Sequence, residues 1–316
     1  MLQILLVINL FLAFLLPVRD NDFGWHYRCG EKLCPTNEYS YFLPNYHWAY
    51  PGFFYDVSLA KIFNHFGLFG VAVFGAVIFT AIFLIYFFLL KGSFTFRVIF
   101  ILAAAVLSWS ILSLGYRSQI LGLLFFVIEL LILEKRKFWS LPLLFFFWAN
   151  THLSFFLGPL ILIKINWRWD FGFVMFPVLI SSLLFFLPKN NFSEEAYCRN
   201  LSLPCKAVKN FTFEPGNIFN TYEWGGYLVW KLPDNKIFVD GRMPAWQDEN
   251  GESPYNVFLK ILQTQPGWNE KLEKLNTKYI FIGQGTFLDL LLQKESAKYN
   301  WREEYRDEIS AIYKRV

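Results

Sequence analysis

Apolar residues dominate the first 187 positions of the chain and become sparse after them. Seven runs are apolar enough to be interpreted as membrane-spanning helices, for which a bilayer core needs roughly 20 residues or somewhat fewer. These runs are 1–18, 67–90, 98–114, 119–133, 138–149, 153–164 and 171–187. The short pair 138–149 and 153–164 could also be one long tilted helix, with "WANTH" inside it. The pattern predicts a polytopic α-helical membrane protein with about seven spans.

Basic residues predict the direction of these spans. With the N-terminus inside, Lys and Arg concentrate in the inside loops 91–97, 134–137 and 164–170, whereas the outside turn 115–118 holds only Arg117. Such an asymmetry is typical of the cytoplasmic side of a membrane protein. The loop 19–66 and the residues from 188 onward then share the external face of a bacterial cell or inner membrane. Segment 1–18 lacks a basic n-region and a small-residue cleavage site, which favours an uncleaved anchor over a signal peptide.

The last 129 positions have the pattern of a small α/β domain. Short β-branched and aromatic runs bounded by turn formers predict strands at 216–220, 235–240, 277–282 and 309–316. Helical character near 256–275 and 286–298 predicts a modest sheet covered by helices. The chain is therefore divided into a transmembrane domain, 1–187, with interfacial helices in its 19–66 loop, and an external domain, 188–316.

Composition and charge narrow the functional classes. The chain has 316 residues, 55% hydrophobic and 21% aromatic, with a net charge of +4. Residues 188–316 carry 17 Lys and Arg against 17 Asp and Glu, so the positive excess comes entirely from the apolar part. A neutral extramembrane domain excludes nucleic-acid binding driven by phosphate contacts.

All four cysteines lie outside the membrane in this topology and form two local pairs, Cys29/Cys34 and Cys198/Cys205. Four cysteines allow three pairings, and the local pairing is the simplest in an oxidising compartment. The spacings are a poor zinc signature. We expect two disulfides, with free thiols or a metal site as the alternatives.

The stretch "RDNDFGWHYRCG" places two carboxylates, Asp20 and Asp22, directly after the first apolar run. Two such close hard oxygen ligands could share Mg²⁺ or Mn²⁺, and one could act as a general base. The alternative is that both merely face water at a helix end. His26 is a candidate third ligand or proton shuttle, or else an interfacial histidine beside Trp25.

Other polar side chains occur at membrane depth or in the aromatic-rich part of the external loop. Arg117, Asn150 and His152 open toward the external face in the predicted topology. A guanidinium matches phosphate oxygens bidentately, although Arg117 could equally snorkel to lipid headgroups. His47 lies among aromatics that are best explained as membrane anchors. We include these four residues as substrate-binding candidates.

Several segments resemble bacterial polytopic proteins of the GT-C superfamily, the membrane glycosyltransferases that use polyprenyl-phosphate-linked sugars. They are "DNDFGWHYRCGE", "YDVSLAKIFNHFGLFG", "YRSQILGLLFFVIELLILE" and "FWANTHLSFFLGPLIL". The resemblance implies that Asp20 and Asp22 form the acidic motif of the first external loop. The segment "YEWGGY" followed by "VDGR" is similar to the WWDYG-type segment of oligosaccharyltransferase catalytic subunits, without a match for its aspartate. Trp224 and Arg242 are substrate-binding candidates in that segment.

The resemblance implies sugar transfer, with inversion, from a lipid-linked donor to an unknown acceptor on the external face. The donor phosphate is expected near Arg117 and His152, with membrane lipids around the chain and a divalent cation as a candidate cofactor. Members of the superfamily usually have further spans after the seventh. A partner subunit would then complete the cavity, or the chain is a non-catalytic scaffold or lipid-binding subunit of an envelope glycan assembly complex.

Overall fold

A computed structural model describes residues 2–48, 50, 52–164 and 192–316, which fold as two compact units. Unit 1 consists of Met1–Asp20 and Pro51–Tyr197, and unit 2 of Asn21–Tyr50 and Cys198–Val316. The boundary runs through the predicted external loop, so most of that loop folds with the C-terminal residues. Asp20 and Asp22 consequently belong to different units.

Most of the described residues of unit 1 are helical. Five short α-helices also follow residue 200. In chain order the helices are α1 (Leu2–Ala13), α2 (Phe23–Lys32), α3 (Phe53–Leu89), α4 (Phe94–Leu107), α5 (Trp109–Leu112), α6 (Ser118–Glu134), α7 (Leu141–Ala149), α8 (Leu157–Lys164), α9 (Glu194–Asn200), α10 (Cys205–Asn210), α11 (Gly225–Lys231), α12 (Pro254–Leu262), α13 (Trp268–Lys274) and α14 (Phe287–Glu295).

Helix α3 is the one helix in the described part of the chain with the length and apolar composition to cross a membrane. Its 37 residues join the predicted interfacial segment to the predicted span 67–90, with a break at Gly67, whose φ is 61° and ψ −162°. This backbone conformation suits glycine because it has no Cβ. The described residues thus contain a single candidate membrane-spanning helix, which is consistent with membrane association.

The prediction of a seven-span polytopic protein is wrong. The helices over the other predicted spans are shorter: α1, α4, α6, α7 and α8 have 12, 14, 17, 9 and 8 residues. Even 17 residues rise only about 26 Å, against a hydrocarbon core of roughly 30 Å. The predicted span 171–187 lies outside the described residues.

Unit 1 has a core built from aromatic and aliphatic side chains of α1, α3, α4 and α6. Phe14, one residue beyond α1, stacks on Phe79 and Phe83 of α3 with ring centroids 5.2 and 4.9 Å apart. Close approach is possible at Gly75, where a Cβ would lie 2.9 Å from Cβ of Tyr116. These contacts hold the turn before α6, which carries Arg117, against α3.

Unit 2 contains a mixed five-stranded sheet: β1 (Asn217–Asn220), β2 (Lys236–Ile237), β3 (Thr277–Gly283), β4 (Trp301–Arg306) and β5 (Ser310–Arg315). The order is β2-β1-β3-β5-β4, with β1 parallel to β2 and β3, and β5 antiparallel to β3 and β4. Four strands coincide with predicted segments. β4 was not predicted, because its sequence "WREEYR" lacks an apolar alternation and lies at the sheet edge.

The segment 21–50 of unit 2 is hydrogen-bonded to β2 and the residue that follows it. Tyr41 N–H donates to the carbonyl of Ile237 in β2, and Ser40 Oγ donates to the carbonyl of Phe238 at 2.9 Å. Both predicted local cysteine pairs are disulfides, with Cα–Cα distances of 5.1 Å for Cys29–Cys34 and 6.1 Å for Cys198–Cys205. One disulfide therefore ties the end of α2 to the segment that runs along the sheet.

Candidate functional site

Asp22 is the half-exposed carboxylate of unit 2 and directly precedes α2. It makes no capping hydrogen bond to the helix backbone. Instead, the indole Nε1 of Trp25, three residues on, donates to Asp22 Oδ1 at 2.9 Å. The carboxylate lies against the backbone of Gly241, where a Cβ would overlap Asp22 Oδ1. Asp22 is thus oriented by a neighbour and remains accessible, which suits a general base.

Two consecutive glycines allow the backbone around Asp22 to pack closely. A Cβ at Gly226 would overlap the carbonyl oxygen of Asn21, and a Cβ at Gly225 would overlap the carbonyl oxygen of Val239. Neither substitution could be relieved by rotating a side chain, because the neighbouring atoms belong to the backbone. The "WGGY" motif therefore serves the close approach of α11 to the segment that carries Asp22.

Arg242 forms a buried ion pair with Asp240, and both side chains are fully buried. Asp240 Oδ1 accepts from the backbone N–H and Nε of Arg242, each at 2.9 Å, and Oδ2 accepts from Nη2 at 2.6 Å. Charge-assisted, bidentate contacts of this kind fix a guanidinium strongly. This pair is the rigid centre of the "VDGR" segment.

Tyr222 lies close enough to these carboxylates for them to affect its ionisation. Burial raises the pKa of Tyr222 to about 12, and the charges of Asp22 and Asp240 act in the same direction. A negative phenolate beside carboxylates is unfavourable, so the hydroxyl stays protonated at neutral pH. It is therefore a hydrogen-bond donor within electrostatic range of the candidate base.

Asp20, in unit 1, has a different environment from Asp22. Its side chain is 2% exposed, and its Oδ1 lies 3.1 Å from Arg117 Nη2. The hydroxyl of Tyr197 donates to the backbone carbonyl of Asp20 at 2.7 Å. Asp20 is therefore a buried, charge-paired group that anchors the end of the first segment of unit 1.

Asn150 and His152 occupy the turn between α7 and α8, where both make local hydrogen bonds. The amide of Asn150 donates to the carbonyl of Phe146 at 2.8 Å, and its own backbone carbonyl accepts from Phe54 N–H. His152 Nδ1 lies 2.9 Å from Ser154 Oγ. These contacts shape the turn. Arg117, the other substrate-binding candidate in unit 1, is paired with Asp20.

The remaining candidates lie in unit 2 and are mostly buried. His26 is 8% exposed and stacks on the ring of Trp25 at 3.6 Å, whereas His47 is exposed. Trp224 is buried against Phe281, with ring centroids 5.4 Å apart. Trp224 is thus a packing residue in the observed geometry.

A divalent metal site is not assembled in the described parts of the chain. No group of three or more His, Cys, Asp or Glu side chains there is arranged to hold a metal ion. Asp20 is occupied by Arg117, and Asp22 by Trp25. Binding of Mg²⁺ or Mn²⁺ by these carboxylates stays a prediction.

Sequence reasoning missed the surroundings of Arg242, which include Asp240 and four aromatic rings, three of them from segments about 200 residues earlier. Asp240 and Trp246 are local, because they lie two and four residues from Arg242. Trp25, Tyr39 and Trp48 reach Arg242 only through the tertiary fold.

Comparisons with known proteins do not assign a function to this chain. No family model, no curated protein and no solved structure matches this chain.

Proposed function

We propose that this chain is a membrane-associated glycosyltransferase that moves a sugar from a polyprenyl-phosphate-linked donor to an acceptor hydroxyl. The single observation that carries the proposal is the accessible carboxylate of Asp22, oriented by the indole of Trp25 and lying against Gly241. Helix α3 is the candidate for its association with the membrane.

In the proposed reaction, Asp22 accepts the proton of the acceptor hydroxyl as its oxygen bonds to the anomeric carbon. The bond from that carbon to the donor phosphate oxygen breaks, and the polyprenyl phosphate leaves with the electron pair. Positioning of the hydroxyl near the carboxylate would supply most of the rate gain. Trp25 would keep the carboxylate in one orientation.

Two disulfides support an external location for unit 2. Cys29–Cys34 and Cys198–Cys205 both belong to it, and disulfides persist in oxidising compartments. Unit 2 would then lie on the external face of a bacterial cell or inner membrane. A lipid-linked donor would reach the chain from the outer leaflet.

Asp22→Asn tests the proposed base. The amide keeps the shape and can still accept from Trp25, but it cannot take a proton at neutral pH. We expect sugar transfer to fall by about 10²- to 10⁴-fold. Transfer is measured in proteoliposomes with lipid-linked sugars extracted from the producing cells, and mass spectrometry identifies the donor that accumulates without the gene.

Asp234→Asn is the matched control for that variant, because Asp234 is an exposed aspartate of the same unit. It should transfer sugar at the unmodified rate. Full transfer by Asp22→Asn, at equal protein level, would remove Asp22 from the mechanism and with it the proposal.

Gly241→Ala tests the position of the carboxylate without removing it. The added methyl group would overlap Asp22 Oδ1, and the side chain must rotate away from its place beside Trp25. We expect transfer to fall by about 10²-fold, since a misplacement of roughly 1 Å can cost that much. Gly283→Ala, where the new Cβ meets nothing nearer than 3.9 Å, should leave transfer unchanged. Equal rates for both variants would contradict the positional role.

A second candidate function is a non-catalytic, lipid- or glycan-binding subunit of an envelope assembly complex. It is favoured by the engagement of the unit 1 candidates in local contacts, Arg117 with Asp20 and His152 with Ser154. A partner subunit would then carry the catalytic step. This alternative predicts that Asp22→Asn and Gly241→Ala both leave transfer by the complex intact.

A further inference from the structure

Four aromatic rings surround the guanidinium of Arg242 within unit 2. The distances from Arg242 Cζ to the ring centroids are 5.5 to 6.0 Å, which places every ring within cation–π range. We refer to these residues with Arg242 as the aromatic cage: Trp25, Tyr39, Trp48 and Trp246. Trp25 also holds Asp22, so the cage adjoins the proposed base.

One nitrogen of the Arg242 guanidinium makes no hydrogen bond to Asp240. Asp240 uses Nε and Nη2, whereas Nη1 is buried without a hydrogen-bond partner among the described residues. A buried donor that lacks a partner is costly, and more so when it is charged. A ligand that accepts from Nη1 would recover this cost.

Two further buried polar atoms without a partner in the described part of the chain belong to Tyr39, a cage residue, and to Arg28, whose charge acts on Tyr39. Tyr39 Oη and Arg28 Nε are buried and, within the described residues, accept and donate no hydrogen bond. The charges of Arg28 and Arg242 both act on Tyr39, although burial outweighs them and raises the pKa of its hydroxyl. The phenol is therefore a neutral donor within electrostatic range of both guanidinium groups.

Local structure preorganises the cage. Trp25 and Arg28 project from one face of α2, because they are three residues apart. The indole of Trp48 donates to the carbonyl of Cys34 at 2.8 Å, and Cys34 is bonded to Cys29 at the end of α2. The helix and the loop that supply three of the four rings are thus joined covalently.

We propose that the aromatic cage binds an acidic sugar, with its oxyanion on Arg242 Nη1 and Tyr39 Oη and its ring face against the tryptophans. Guanidinium and phenol donors match a carboxylate or phosphate, and aromatic faces suit the apolar face of a sugar ring. Asp240 and Glu31 already balance the two arginines, so a singly charged carboxylate fits better than a phosphate dianion. That the ligand is a sugar rests on the proposed function.

The test is a binding titration of the full-length protein in detergent, followed by tryptophan fluorescence. The probes are glucuronate, glucose, glucose 6-phosphate and inorganic phosphate, and the protein carries Asp22→Asn so that binding is separated from transfer. We expect saturable binding of glucuronate at least tenfold tighter than that of glucose. Tyr39→Phe and Arg28→Gln should each weaken glucuronate about five- to tenfold, as expected for the loss of one hydrogen bond to a charged group.

Tyr299→Phe, which removes the same hydroxyl from a tyrosine packed on Trp268, should bind glucuronate normally. Glucose binding as tightly as glucuronate, or inorganic phosphate as tightly as either acidic sugar, would overturn the inference. So would an unchanged affinity in Tyr39→Phe, a variant that keeps the ring and its packing. Glucuronate binding with no transfer activity in the unmodified protein would support the cage while ending the proposed function.

Discussion

Replacing Asp240 with alanine is expected to lower the free energy of unfolding of unit 2 by about 3–5 kcal/mol. The substitution leaves the guanidinium of Arg242 fully buried without its counter-charge and without two hydrogen bonds, and the backbone N–H of Arg242 loses its acceptor as well. The aromatic rings around it cannot replace a carboxylate, because a cation–π contact contributes only about 0.5–2 kcal/mol. Unfolding in guanidinium chloride, followed by tryptophan fluorescence, measures the change in the free energy of unfolding.

The control is Glu308→Ala, which breaks an ion pair with Lys206 in the same unit. Both of those side chains are largely exposed, at 74% and 68%. Exposed pairs contribute about 0–1 kcal/mol, so this variant should unfold close to the unmodified protein. If the two variants unfold at the same denaturant concentration, the Arg242–Asp240 pair does not have the structural weight assigned to it.

Gly24→Ala is the second substitution with a large expected effect. A Cβ at Gly24 in α2 would overlap the carbonyl oxygen of Gly226 in α11 and lie 3.0 Å from Cβ of Trp230. Helix propensity alone predicts that alanine stabilises α2 by about 0.5–1 kcal/mol. We expect the opposite sign, a destabilisation of about 1–3 kcal/mol or more, because two backbones must separate.

The same unfolding measurement decides the sign for Gly24→Ala. Gly283→Ala again serves as the control, since its Cβ makes only ordinary contacts at 3.9 Å. The separation of α2 from α11 should also weaken glucuronate binding, because Trp25 and Arg28 move with α2. A stabilised Gly24→Ala protein would mean that the two helices do not pack at this glycine.

The strands of unit 2 were predictable because each combines a short β-branched or aromatic run with turn formers at both ends. β3 is the clearest case, with "TKYIFI" entering a sheet in which Tyr279 and Ile280 are buried. β4 was not predictable, because an edge strand with exposed Glu and Arg has the same composition as a surface loop.

The number of spans was mispredicted because hydropathy measures composition and not the continuity of a helix. The run 98–114 is apolar throughout, yet α4 ends at Leu107 and α5 is a separate short helix. Asn150 ends α7 and interrupts the pair that hydropathy placed in the membrane. At Gly67, by contrast, a non-helical backbone interrupts α3 where the predicted span 67–90 begins.

The candidate site was only half visible in the sequence. The sequence spacing alone does not show that Asp20 and Asp22 have different environments. In the structure Asp20 pairs with Arg117, whereas Asp22 accepts a hydrogen bond from Trp25. Asp240, Arg242 and Trp246 are close in the sequence, but the other three rings that enclose Arg242 come from positions about 200 residues earlier. No local periodicity connects such positions.

Unit 2 is discontinuous, and its strand β5 lies between β3 and β4 in the sheet. During translation, residues 21–50 leave the ribosome long before their sheet partners, and β3 stays unpaired on one side until residue 315 has been made. Such a high contact order implies slow, largely post-translational folding with an open strand edge. A nascent chain would therefore depend on chaperones, or on early anchoring through α3, to avoid self-association before the sheet closes.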